Sequence, residues 1–143
     1  MNRYRLAKWV LNKTKYPAYY TAVFTGLAVG TKIIEDLSVG NLENILSDSK
    51  NIAGILAKSY ALINIGYASG VELATKRFGR IGGNTVCLIT NVMLAAYAYH
   101  TSDTNPTLPL LVNAGLGAYM TNKQITNIQK QALPTLDIPS QGI

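Results

Sequence analysis

The sequence predicts an all-α protein: a basic N-terminal helix followed by a hydrophobic antiparallel four-helix bundle. Three observations predict it. Apolar residues recur at helical rather than alternating spacing along most of the chain, with "TVCLIT" the one stretch open to a strand reading. Gly, Pro and short polar runs such as "DLSVGN" and "HTSDTNPT" punctuate the apolar segments. Charge collects at the segment ends rather than along their middles. At 143 residues the chain suits one domain, long enough to bury a core without disulfides or a structural metal.

The first element is a basic amphipathic helix over residues 1–16. Leu6, Ala7, Val10 and Leu11 share one face, and Arg5, Lys8, Asn12 and Lys15 form a stripe on the other. Pro17 disfavours helix at Tyr16 and suits the first turn of a new helix, so a hinge is expected there. The hydrophobic bundle is expected over residues 17–131. Its first helix, about 18–36, is apolar nearly all round and must be covered on every face. The second, about 49–78, is expected to start at a cap on Asp48 or Ser49 after a short turn capped by Asn41, and to stop at Gly79. The third, about 84–100, follows an "IGG" turn, and the fourth, about 108–131, begins apolar and turns polar at "TNKQITNIQKQ". A Pro-punctuated extended tail is expected over residues 132–143.

Composition sets the main constraint on function. Hydrophobic residues make up 48% of the chain and charged residues only 14%, against roughly 25% charged in a typical soluble domain. Lipid or neighbouring copies must therefore hide apolar faces, because soluble monomers rarely expose large contiguous ones. The formal charge of +6 asks for an anionic partner, either nucleic acid or phospholipid headgroups. Residues 1–34 have the layout of a signal peptide, but the segment is expected to remain in the protein.

Antiparallel helices sort the charges into two poles. One pole gathers Arg3, Arg5, Lys8, Lys13, Lys15, Lys76, Arg77, Arg80, Lys123 and Lys130, with Glu72 about one turn inward. The other gathers Glu35, Asp36, Glu43, Asp48 and Asp103, with Lys32 and Lys50 nearby. In a membrane this is the positive-inside pattern, with both termini cytoplasmic. In a soluble subunit it is a basic end turned to a polyanion, replacing condensed counterions. Two small-xxx-small motifs, Gly26 with Gly30 and Gly66 with Gly70, mark expected helix-packing positions, useful in membranes and in any dense helical assembly.

Four spans would require about 20 apolar residues each. The segment from Ala18 to Ile34 is shorter and contains Lys32, the next carries Lys58 and Asn64, the third holds Asn84, Thr85, Thr90 and Asn91, and the fourth turns polar at Thr121. A mid-span Lys costs about 2.5 to 3.5 kcal/mol on insertion scales. These departures weigh toward a coat of packed subunits. The opening "RYRLAKWVLNKTKYPAYYTA" resembles the start of α-helical coat proteins of archaeal rod-shaped and filamentous DNA viruses. The hydrophobic remainder resembles the helical-bundle coats of archaeal spindle-shaped and bacilliform viruses. The resemblance is architectural, without a diagnostic motif, and the apolar content exceeds that of the rod-shaped pattern. It implies a virion major capsid protein that self-assembles in many copies around double-stranded DNA. Its implied contacts are phosphates, met without base readout by the ten basic-pole residues. The alternative expectation is a small integral membrane protein with four spans serving as a structural subunit, and lipid is a possible partner in either case.

No enzyme is expected and no cofactor or metal. His100 is the only histidine and Cys87 the only cysteine, so neither an all-His metal site nor an intrachain disulfide can form. Cys87 is expected in the core as a small hydrophobe. "HTSD" places His100, Ser102 and Asp103 close in sequence, but a triad is defined by geometry, not adjacency. "GRIGG" lacks the lysine and the strand-to-helix context of phosphate loops. Tyr16, Tyr19 and Tyr20 cluster where the basic helix is expected to meet the bundle, and core packing is their simplest role.

Overall fold

The computed structural model describes residues 2–103 and 105–133. They form an all-α protein of three helices, α1 (Arg3–Ser38), α2 (Ile45–Thr101) and α3 (Thr107–Ala132), with no strand among the described residues. "TVCLIT" is helical. The tail expected over 132–143 falls, from residue 134 onward, outside the described residues.

α1 opens on Asn2, whose side chain accepts from the Tyr4 N–H at 3.3 Å. It then runs unbroken through Pro17, so residues 1–16 are not a separate hinged helix. An interior Pro loses a backbone hydrogen bond and crowds the preceding turn, a cost of about 3 kcal/mol. Contacts on both sides of Pro17 offset it. Tyr16 accepts a hydrogen bond from Asn127, Pro17 itself is buried, Thr21 Oγ1 donates to the Pro17 carbonyl at 2.7 Å, and Tyr20 is fully buried.

α2 starts at Ile45 after Asn44, earlier than the predicted caps, with Asp48 already in its first turn. Gly79 interrupts it with φ 69° and ψ −155°, a combination essentially reserved for glycine. The helix stop predicted there is present, but the turn ends within that residue. Gly82 and Gly83, predicted as turn, are helical and belong to the returning arm. Arms 45–78 and 80–101 lie antiparallel. An ideal Cβ on Gly82 would stand 2.3 Å from the Ala74 carbonyl oxygen, and one on Gly83 would stand 2.5 Å from Thr75 Oγ1 and 2.6 Å from Ile125 Cδ1. Only hydrogen at these two positions lets the arms and α3 approach so closely.

Pairings fix the remaining directions. α1 is antiparallel to the first arm of α2, through Lys13 with Glu72, Thr21 with Asn64 and Phe24 with Tyr60. It is antiparallel to α3, through Tyr16 with Asn127, Tyr20 with Gln124, and Phe24 beside Gly117. The second arm of α2 runs antiparallel to α3, from Arg80 with Gln129 at one end to Tyr99 with Thr107 at the other. The core sits in the half nearer Gly79, where Tyr20, Ala68, Val71, Cys87 and Ile125 are buried. Cys87 lies in the core, as predicted.

Candidate anionic-surface interface and polar core

The antiparallel directions bring the N-terminal half of α1, the Gly79 turn and the C-terminal half of α3 to one end of the molecule. All ten predicted basic residues, Arg3, Arg5, Lys8, Lys13, Lys15, Lys76, Arg77, Arg80, Lys123 and Lys130, lie toward that end and are exposed. Two of them share an acid: Glu72 takes Lys13 at 2.5 Å and Lys76 at 2.6 Å. Hydrogen bonds from Lys13 and then Lys76 hold the Glu72 carboxyl below the usual carboxylate range, against a smaller opposing effect of burial. The other eight make no ion pair among the described residues. Lys123 lies 5.1 Å from the centre of the Tyr119 ring, a cation–π geometry.

Arg80 is held differently. Its Nη1 donates to Asn122, and its Nη2 donates to Thr126 at 3.2 Å and more weakly to Gln129 at 3.4 Å. All three acceptors are neutral and all stand on α3. The side chain is fixed in place while its charge stays uncompensated.

The opposite end holds Glu35, Asp36, Asp48 and Lys32. Lys32 donates to Asp36 at 3.0 Å and lies 3.8 Å from Glu35. The hydrogen bond to Asp36 is the main cause of a rise in the Lys32 pKa. Asp36 is 2% exposed and its Oδ2 has no partner.

Between the two ends polar side chains share the interior with the apolar core, and many large apolar side chains are exposed. Tyr20 Oη donates to Gln124 Oε1 at 2.8 Å, Gln124 Nε2 donates to the Ala68 carbonyl at 2.9 Å, and the Tyr67 and Thr121 hydroxyls pair at 2.7 Å. Asn64 donates to Thr21 at 3.2 Å. Asn64, Thr75, Thr121 and Gln124 are all less than 5% exposed, whereas Leu62, Ile63, Ile65, Leu88, Ile89, Val92 and Met93 are each more than half exposed. The accessible surface is 10727 Å², against about 7,200 Å² for a compact monomer of this mass.

Among the described residues, the predicted helix-packing glycines make no close helix contact. An ideal Cβ on Gly26, Gly30 or Gly66 would meet nothing within 4 Å, and one on Gly70 only Val86 at 3.9 Å. Gly66 and Gly70 instead line an open groove of about 550 Å³ between the arms of α2, with Ile63, Val86, Met93 and Tyr97. The close glycine contacts fall at Gly82 and Gly83, which the sequence reading assigned to a turn. The Tyr20–Tyr67–Thr121–Gln124 cluster was also missed. Its signal is the spacing of Gly117, Thr121 and Gln124, a small and polar stripe along α3 at i, i+4, i+7.

Comparison of the chain with protein-family models, curated proteins and solved structures returned no match.

Proposed function

We propose that this chain is a non-enzymatic structural protein of a membrane. In this reading α1, the two arms of α2 and α3 form an antiparallel four-helix bundle that spans the bilayer, with the basic end, the start of α1 and the end of α3 on the anionic, cytoplasmic side. One observation carries it: hydrogen-bonding side chains occupy much of a small interior while many isoleucine, leucine, valine and methionine side chains are exposed on the outside. Water rewards the reverse arrangement. Hydrocarbon rewards this one, because polar groups in a bilayer must find partners inside the protein.

The dimensions support the same reading. Between Lys15 and Lys32 on α1, from Ile81 to Tyr99 on α2, and from Thr107 to Asn122 on α3, no Asp, Glu, Lys or Arg occurs. At 1.5 Å per residue these stretches measure about 24 to 28 Å, close to a hydrocarbon core of about 30 Å. Of the uncharged polar residues that weighed against four spans, Asn64 and Thr121 are buried and Thr90 and Asn91 half-buried, while Asn84 and Thr85 are exposed near the basic end. Lys58 is the charged residue exposed within the belt among the described residues; a Lys ammonium on its flexible stem can reach toward the interface. Among the described residues α2 is the one helix long and apolar enough to cross a membrane by length and composition alone, so α1 and α3 would cross only packed against it.

The test is extraction. Membranes from expressing cells, washed with alkaline carbonate and high salt, are expected to keep the protein until detergent is added. Release by carbonate sinks the reading.

The coat reading stays as a second proposal because of one further observation. Arg3, Arg5 and Lys8 sit at the free N-terminal end of α1, exposed and without an ion pair among the described residues. In a virion of self-assembled subunits, this end and the rest of the basic pole would neutralise phosphates of double-stranded DNA, and the apolar exterior would pack against neighbouring copies or lipid. Particles containing nuclease-protected DNA, with retention falling steeply as salt rises, would favour it over the membrane.

A further inference from the structure

We propose that Arg80, clamped to α3 by Asn122, Thr126 and Gln129, is a specific site for the phosphate of an anionic phospholipid. The inference rests on the membrane reading and goes beyond a diffuse basic surface. Most other cations at this end make no hydrogen bond to a neighbouring helix, and Lys13 and Lys76 share the single negative charge of Glu72. Arg80 is tied by hydrogen bonds to a neighbouring helix and has no ion pair among the described residues, because the three side chains that fix it are neutral.

A guanidinium has five N–H donors in a planar fork. Nη1 and Nη2 are engaged on α3, which leaves the Nε–H and any unused Nη hydrogen for other acceptors. An anionic oxygen is the strongest acceptor for them, since charge-assisted bonds are roughly twice as strong as neutral ones. The prior anchoring removes much of the rotamer entropy that ordering a free arginine costs. Height selects the source of that oxygen. Arg80 immediately precedes the charge-free stretch from Ile81 to Tyr99, so in a bilayer it stands at the phosphate level of one leaflet. Phe78 and Ile81 on either side are 67% and 78% exposed, placed to meet acyl chains directly beneath that phosphate.

The test is lipid retention by the full chain, purified in detergent with mixed phosphatidylcholine and phosphatidylglycerol and read by native mass spectrometry. Arg80→Gln is expected to lower retained phosphatidylglycerol about five-fold or more, and Arg80→Lys less, since an ammonium keeps the charge but loses the planar fork. Lys130→Gln, which removes the same charge from the same end, is expected to lower it less than about two-fold. Equal losses in Arg80→Gln and Lys130→Gln overturn the site in favour of diffuse attraction. Displacement by millimolar inorganic phosphate overturns the lipid assignment, as does Arg80-dependent retention of a short DNA duplex in place of lipid. Circular dichroism of each variant shows that helicity is kept; if Arg80→Gln unfolds, the Arg80→Lys ranking against Lys130→Gln decides. Failure of the carbonate test defeats the membrane reading itself. Carbonate resistance with unchanged retention in Arg80→Gln defeats only this inference.

Discussion

The half of the molecule around Gly79 and the half around the α1–α2 and α2–α3 connections are built on opposite principles. In the first, glycine serves contact: Gly82 and Gly83 have no room for a methyl group, and Tyr20, Val71, Thr121 and Ile125 are buried around them. In the second, glycine marks open space: Gly26, Gly30, Gly54 and Gly115 have nothing within 4 Å, and a cavity of about 210 Å³ separates Asn91, Leu94 and Tyr99 from Leu110 and Ala114. Intrachain stability therefore concentrates in one half. The other half leaves its surface open, which under the proposed reading is where lipid or another helix would lie.

The largest expected effect comes from filling the closed half. Gly82→Ala places a methyl group on the Ala74 backbone, which cannot swing aside as a flexible side chain could. The arms of α2 must separate, at the upper end of the about 1–3 kcal/mol typical of overpacking or beyond it. Gly83→Val should do the same against Thr75 and Ile125. Thermal unfolding in detergent measures both, and a melting temperature unchanged by either substitution would contradict the close packing of the arms.

Next in size is the polar cluster. Gln124→Leu removes the main acceptor of the Tyr20 hydroxyl, which keeps only a weaker 3.4 Å bond to Thr121, and the side-chain donor to the Ala68 carbonyl. A loss of about 1–3 kcal/mol is expected. Combining it with Tyr20→Phe removes that hydroxyl, so the double variant should lose less than the sum of the two single losses. Additive losses would show that the 2.8 Å bond contributes nothing to specificity.

These two features were unequally legible in the sequence. Gly79 could be read as a stop because its conformation depends on the residue itself: no other side chain tolerates that φ and ψ. Pro17 misled for the converse reason, since local propensity argues for a break while Asn127, supplied from far along the chain, helps hold the helix together across it. The poles were legible because charges stay at helix ends whatever the packing. The polar core was not, because its members come from α1, α2 and α3 and look like defects in each helix taken singly. Arg80 was counted among the basic residues from the start. Its neutral clamp needed the register of α2 against α3, which no single segment states.

A smaller effect is expected at the border of the closed half, where Glu72 holds Lys13 and Lys76. Glu72→Gln should cost less than about 1 kcal/mol, since both lysines are largely exposed and solvent screens the pairs. The pH dependence has a definite sign. The folded-state pKa of Glu72 lies below its ordinary value of 4.5, so its contribution is complete above that value and disappears as pH falls through the lower, folded-state pKa. The difference in stability between wild type and Glu72→Gln should therefore be constant at neutral pH and vanish in acid. A difference that persists below the folded-state pKa would mean that the carboxylate charge is not what ties α1 to α2.

The smallest intrachain effect, and the one that bears most directly on what the open half is for, is expected at Gly26 and Gly66. Neither glycine touches another helix of its own chain, so Ala at either position should leave the fold intact and raise helix stability by up to about 1 kcal/mol through propensity alone. A glycine kept on an exposed helical face despite that cost is one on which a second helix can lie closely. Gly26→Ala and Gly66→Ala should then leave the melting temperature of the monomer the same or higher while weakening self-association, measured by crosslinking or by energy transfer between labelled copies in vesicles. If association is unchanged in both variants, the open glycines face lipid, and contacts between copies must be sought elsewhere on the apolar exterior.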